Sequence, residues 1–421
     1  MADSGGDPEA FRAEVRAWFE ENFPKSLSRN PEAAMQAMMG EQRPAGDADL
    51  WRKRIGEKGW GVPTWPKAYG GGGLSAADAR IVQQEMQRAG AFNPIGGMGV
   101  MMFGPTLLEY GTEEQKHRHI PGIAKGEVRW CQGFSEPGAG SDLAGLQTKA
   151  EDKGDHFVIN GSKIWTSGGQ FADWCFCLVR TDQTRKHEGI SFVLFTMHQP
   201  GVEVRPIKLI AGSSPFCETF FTDAIAKKED LVGPLNGGWT VAKRLLQFER
   251  SGLSGGGGGG PPAGARGGGG GGGAAGMMGM GGGPLAQMAK SYIGEDGKGR
   301  IADTDVRNRI IQHEMDSKAF QLTAFRSMME ARSNTGPNAS TSIMKNAGTK
   351  VGQDRAELTL EIMGHQGLGW EGEGFKAEEL AAVRGWLGGK ATTIYGGSFE
   401  IQNNIISKRI LGLPEITSNS N

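Results

Sequence analysis

The chain has 421 residues, enough to bury a large core in two or three structural layers. Its 46 basic and 47 acidic residues leave a net charge of −1, so nothing argues for nucleic acid or an anionic membrane as partner. The sequence contains no run of 18 apolar residues, its opening Met1-Ala-Asp-Ser-Gly-Gly-Asp7 lacks signal-peptide character, and its four cysteines are too irregular for a disulfide framework.

A cytoplasmic protein is expected. Residues 1–129 read as an N-terminal helical domain: Phe11, Val15, Trp18 and Phe19 recur at helical spacing. Ala76 to Gly90 and Pro105 to Gly111 repeat that pattern between Gly- and Pro-rich turns. Residues 130–237 change character. Runs starting at His156, Asp173, Ile190 and Glu218 read as strands of a middle β-barrel or sandwich, the first followed by a tight Asn160-Gly161 turn. Cys175 and Cys177 share one strand face, as small buried hydrophobes rather than a metal pair. The histidines show no metal-site spacing, so no metal is expected.

Residues 238–421 read as a C-terminal helical bundle, which completes an α+β fold class. The amphipathic run Trp239 to Glu249 is followed by Gly252 to Gly283, where 20 of 32 residues are glycine. Each glycine costs a helix interior about 1 kcal/mol, so this stretch reads as a flexible insertion or as a mobile flap over a substrate entrance. Helical patterning resumes by Asp305 and runs to Leu411.

Two motifs carry the chemistry. Trp130-Cys-Gln-Gly-Phe-Ser-Glu-Pro-Gly-Ala-Gly-Ser-Asp142 places hydroxyls and backbone amides in a turn-rich loop. Asn160-Gly-Ser-Lys-Ile-Trp-Thr-Ser-Gly-Gly169 sets a Trp beside two hydroxyl residues, a combination able to cover one face of a flat ring and bond its edge. In this order they resemble the flavin-binding segments of the acyl-CoA dehydrogenase family. Further segments are similar to its other landmarks: Gly61 to Gly71, Glu109 to Lys116, Ile362-Met-Gly-His-Gln-Gly367, Thr392 to Gln402, and Lys408 to Pro414.

The resemblance implies an FAD-dependent enzyme that desaturates an acyl-CoA thioester, with electron-transfer flavoprotein as oxidant. It implies flavin contacts from Gln132, Phe134, Ser135, Gly140, Ser141, Trp165, Thr166 and Ser167. Gly364 and Gly367 of a second subunit would approach the nucleotide end of FAD, where Ser398 and Glu400 also match, so a homotetramer is expected. Arg307 and Arg309 are candidates for the diphosphate cation, and Ser141, Arg250 and Gly396 for substrate contacts. No Gly-x-Gly-x-x-Gly opens a helix after a strand, which speaks against a Rossmann site.

The reaction needs a carboxylate at the substrate α-carbon, donors on the thioester carbonyl and a correctly faced flavin. Many family members place a Glu directly after the Tyr of the closing motif; here that position is Gly396. Other branches place the base in a Glu-Arg pair early in the C-terminal domain, which makes Glu249, before Arg250, the candidate base. The competing reading of Glu249 is a solvated helix-end residue paired with Arg250 or Lys243. Two further readings stay open: a flavoprotein with different chemistry (desulfinase, oxidase or monooxygenase), and a non-catalytic subunit that completes a partner's flavin site.

Overall fold

The computed structural model describes residues 7–28, 30, 43–253, 284–333 and 341–414. Most of the glycine-rich segment, residues 254–283, therefore lies outside the described residues, and with it the linker and flap readings. Two compact units form: Met1–Lys208 with Ser214–Glu249, and Leu209–Ser213 with Arg250–Asn421.

The first unit opens with helices. In α1 (Pro8–Asn22), Asp7 accepts a hydrogen bond from the Glu9 N–H, and Pro8 stands where no N–H partner is needed. Its Val15 and Phe19 pack with Trp51 and Ile55 of α2 (Asp47–Glu57) and with Ile81 and Val82 of α3 (Ala76–Arg88). Glu85 of α3 is only 4% exposed and is gripped by Arg12 at 3.1 Å and Arg16 at 3.0 Å. The Arg16 hydrogen bond, opposed by burial and aided by Arg12, holds its carboxyl below the usual range.

That depression has a sign. Stability from Glu85 is present above the unfolded carboxyl value of about 4.3 and is lost as pH falls through the lowered folded value. Glu85→Gln should therefore shrink the difference in unfolding free energy between pH 7 and pH 3, measured by urea titration. An unchanged difference would remove Glu85 from the acid limb.

Helices α4 (Gly104–Tyr110) and α5 (Glu113–Ala124) follow, the latter opened by a reciprocal cap between Thr112 and Gln115. The sheet then takes over: β1 (Trp130–Gly133), β2 (Lys149–Asp152), β3 (His156–Ser167), β4 (Trp174–Arg180), β5 (Ile190–Thr196), β6 (Val202–Ile207), β7 (Phe216–Lys227) and β8 (Leu231–Val232). Their order is β6-β7-β3-β2-β4-β5-β8, with β1 parallel to β4.

Both faces of β4 are buried because each meets a different core. Cys175, Cys177 and Val179 join Phe157, Ile159, Val193, Phe195 and Phe221 on the inside of the curled sheet, where Phe195 and Phe221 meet edge-on at 5.2 Å. Phe176 and Leu178 face the other way, onto Phe103, Leu107 and Ile120 of the helical segment. The cysteines are free and buried, and no cluster of metal-binding side chains occurs among the described residues.

One expectation is corrected here. Asn160-Gly161 is not a turn: β3 runs straight through it. The register shifts between Ile159 and Gly161 because β7 carries an extra residue there. Asp223 sits at that point with φ 55° and exchanges hydrogen bonds with Asn160 at 2.9 and 3.0 Å.

Helix α6 (Gly238–Leu253) closes the first unit by burying Val241, Ala242 and Leu245 in the same core as Phe176. The second unit contains α7 (Leu285–Ile293), α8 (Thr304–Ser333), α9 (Thr341–Met363), α10 (Ala377–Gly389) and α11 (Phe399–Ile405). Leu285, Ala289, Val306, Ile310, Leu358 and Ile362 form its core. No described helix is long and apolar enough to cross a membrane. On the opposite side of α8, Ile311, Met315, Leu322 and Phe325 are 51–60% exposed along one helix face.

Candidate active site

The first motif leaves β1 at Gly133. A side chain there would meet the Cys177 and Cys175 sulfurs at 2.9 and 3.0 Å, so any larger residue would have to displace them. Gln132 is half-buried on the strand, and Ser135 offers its carbonyl to the Ile164 N–H at 2.8 Å. The Phe134 ring is a core group, edge-on to Phe176 at 6.0 Å and to Phe192 at 6.1 Å, so its backbone rather than its ring faces the loop. Gly140 and Ser141 are exposed, beside Asp142, which takes a hydrogen bond from Lys186 at 2.9 Å.

The second motif is built around a bulge. Lys163 pairs with Thr219 and Thr166 with Cys217, so β3 carries one more residue than β7 between them. The residue near the break is Trp165, at φ 60°, a left-handed conformation that costs a non-glycine residue about 1–3 kcal/mol. The bulge flips the facing of the strand. Phe157, Ile159 and Lys163 point inward before it, and Thr166 points inward after it. Trp165 is thereby turned out, 51% exposed, with its ring edge-on to Phe216 at 6.1 Å. The Thr166 hydroxyl is buried with no hydrogen-bond partner, and Ser167 is half-buried beside it.

A buried ion pair joins the two motifs. The Lys163 side chain is fully buried and donates to Glu136 Oε1 at 2.7 Å and to the Phe134 carbonyl at 3.1 Å. Glu136 also accepts from the N–H groups of Gln147 at 2.6 Å and Thr148 at 2.9 Å. Burial alone would raise its carboxyl, but the charge and hydrogen bond of Lys163, with the other donors, outweigh this and leave it below the usual range. An open cleft of about 500 Å³ lies alongside, lined by Glu136, Gly138, Gln147, Thr148 and Gly161.

Glu249 continues the inward stripe of α6, four residues beyond Leu245 and seven beyond Ala242, and is half-buried. Lys243 is exposed, and Arg244 of the same helix is bound to Glu109 at 2.6 Å. The Arg250 side chain lies outside the described set.

In the second unit, Gly364 (φ 57°) ends α9 in a left-handed residue, and a side chain at Gly367 would meet the Leu360 carbonyl at 2.5 Å. Gly396 and Gly397 are both left-handed, at 68° and 92°, and the fully buried Gln402 holds the Gly396 carbonyl at 2.8 Å. Ser398 caps α11, and its hydroxyl, with the nearby Lys345 charge, helps hold the Glu400 carboxyl low. Lys345 itself is 6% exposed, its Nζ lacks a hydrogen-bond partner, and it sits 5.2 Å from the Phe399 ring centre. The alternative cations are engaged elsewhere: Arg309 with Glu361, and Arg307 with the Ile301 carbonyl at 3.3 Å.

Models of the N-terminal, middle and C-terminal domains of acyl-CoA dehydrogenases match residues 6–127, 131–224 and 272–411. The acyl-CoA dehydrogenase IpdE1 of Mycobacterium tuberculosis is 35% identical over 416 residues, covering 97% of this chain and 98% of that protein. The chain belongs to the acyl-CoA dehydrogenase family. Among solved structures it is similar to the Tcur3481-Tcur3483 steroid ACAD, with 30% identity, a TM-score of 0.72 and coverage of 97% and 99% of the two chains. It is also similar to the ChsE4-ChsE5 complex of Mycobacterium tuberculosis, at 28% identity and a TM-score of 0.69, over 99% of this chain and 100% of that one.

Within the first unit of this acyl-CoA dehydrogenase, Ser135 and Ile164 hydrogen-bond through their backbones, which brings the two motifs together. Within the second, Gly396 lies in the turn that leads through the Ser398 cap into the first turn of α11, which carries Glu400. Sequence reasoning missed Glu136, Lys163 and Lys345. The signal for Lys163 was present: a lysine at the inward parity of an apolar strand needs a buried partner.

Proposed function

We propose that this chain is an FAD-dependent acyl-CoA dehydrogenase that introduces an α,β double bond into an acyl-CoA thioester. The observation that carries this reading is the Trp165 bulge, which turns an indole outward next to an unpartnered, buried Thr166 hydroxyl in a chain of this family. These groups fit a flat heterocycle with hydrogen-bonding edges, and the buried Lys345 ammonium fits an anionic cofactor. Gln132, Ser135, Trp165, Thr166 and Ser167 would hold the ring, with Gly140 and Ser141 toward the thioester. Ser398, Glu400, Gly364 and Gly367 would serve the nucleotide end, the glycines from a second subunit.

Bound FAD would supply the hydride acceptor, passing electrons on to an electron-transfer flavoprotein in the cytoplasm. The chain's own contribution is the proton. Glu249 would take it from the substrate α-carbon, and the family resemblance assigns the Gly396 N–H to the thioester carbonyl. The likeness to a steroid ACAD favours a substrate with a bulky ring system over a straight chain.

Purified protein should be yellow, with flavin absorption released into solution on denaturation. Anaerobic bleaching by a panel of acyl-CoAs then tests the reaction, with polycyclic thioesters expected to reduce the flavin fastest. A protein that takes up FAD but is bleached by none of them would move the reading to different flavin chemistry. The likeness to two-component assemblies favours a second reading, in which a partner chain shares the site. Mass and subunit composition decide it: FAD retained by this chain alone supports a homo-oligomer, and FAD retained only with a second chain supports the shared site.

A further inference from the structure

We propose that the buried Glu136–Lys163 pair is a positioning latch that holds Trp165 and Thr166 in their bulged geometry against the flavin. The proposal rests on the flavin reading above and gives Glu136 and Lys163 a positioning role, exerted through Trp165 and Thr166. A left-handed tryptophan persists only where its surroundings over-determine it. On the far side of the bulge the constraint is ordinary sheet pairing: Ser167 pairs with Phe216, and the Gly168 N–H donates to the Pro215 carbonyl at 2.9 Å.

On the near side, the first-motif loop supplies the constraint. Lys163 reaches Glu136 and the Phe134 carbonyl, while the next residue, Ile164, donates its N–H to the Ser135 carbonyl. Three successive loop residues are thereby fastened to two successive strand residues, directly before Trp165. Glu136 is in turn seated by the amides of Gln147 and Thr148, so the latch is anchored to the segment that enters β2. An ion pair is a costly way to stabilise a core, and apolar or neutral replacements often fold as well. What the pair adds is direction: a fixed ammonium with two defined acceptors leaves the loop one position relative to the strand.

The decisive variant is the double substitution Glu136→Gln with Lys163→Met, which removes both charges at nearly constant volume and leaves no unpaired buried ion. Its melting temperature should stay within a few degrees of the parent. Hydrogen exchange should quicken at least tenfold in peptides covering 134–136 and 163–168, with the rest of the sheet unchanged. FAD affinity should fall at least tenfold, and flavin reduction at saturating FAD should slow while the KM for acyl-CoA stays near the parent value. Lys163→Met alone, which strands Glu136, should lose both stability and FAD. Unchanged exchange around the bulge overturns the latch, and local loosening with parental FAD affinity and reduction overturns its link to the flavin. A parent protein that never binds FAD defeats the flavin reading instead, and the exchange experiment still decides whether the pair holds the bulge.

Discussion

Replacing Glu249 with Gln is expected to leave FAD content and acyl-CoA binding intact while slowing flavin reduction by about 10²–10⁴-fold, the scale for loss of a positioned general base. The substitution keeps size and hydrogen bonding and removes only the ability to accept a proton. Two observations motivate it. Position 396, to which the family resemblance would assign a base, is a glycine, and Glu249 extends the inward stripe of α6 beyond Leu245. Stopped-flow reduction with a substrate active on the parent is the measurement, and near-parental reduction would sink the assignment. Adding Gly396→Glu to that variant should restore part of the rate. The rescue carries a penalty of about 1–2 kcal/mol, because Gly396 sits at φ 68°, where a side chain crowds the backbone.

The second large effect concerns assembly. Ile311, Met315, Leu322 and Phe325 form an apolar stripe along one face of α8, each more than half exposed, which we read as a subunit contact. Met315→Glu combined with Leu322→Glu would place two carboxylates in that contact, each at a cost of several kcal/mol. Light scattering should show a smaller species, and FAD should be lost with it, since glycines of a second subunit are expected to complete the cofactor site. Unchanged mass and flavin content would show that the stripe is simply exposed surface.

Much of the architecture was legible because hydrophobic period and turn residues agreed. The runs at His156, Asp173, Ile190 and Glu218 all lie on observed strands, and Ala76–Gly90 overlaps α3. What escaped was structure whose cause is tertiary. Strand β2 is Lys-Ala-Glu-Asp, with only Ala150 buried, and it exists because β3 pairs with it. Strand β6 contains Pro206, tolerable because β6 lies at the sheet edge. The Asn160-Gly161 pair has turn chemistry, yet the irregularity was absorbed by β7, where Asp223 takes the left-handed conformation. In the site, residue types in the motifs were readable. The bulge that reverses the strand at Trp165 was not, since no local preference of Ile-Trp-Thr announces a left-handed tryptophan.

The sulfurs that fill the space beside Gly133 also make the chain its own stopwatch. Cys131, Cys175, Cys177 and Cys217 are all buried, and burial pushes the Cys175 and Cys177 thiols well above their ordinary value. A thiol that is both sheltered and protonated does not react with disulfide or maleimide reagents. Modification at Cys175 and Cys177 therefore waits for the sheet to part, and with reagent in large excess its rate counts opening events. Because the clock runs with or without cofactor, comparing the two states reads out how far ligand binding slows the breathing of the β-layer, without any optical signal from the ligand itself.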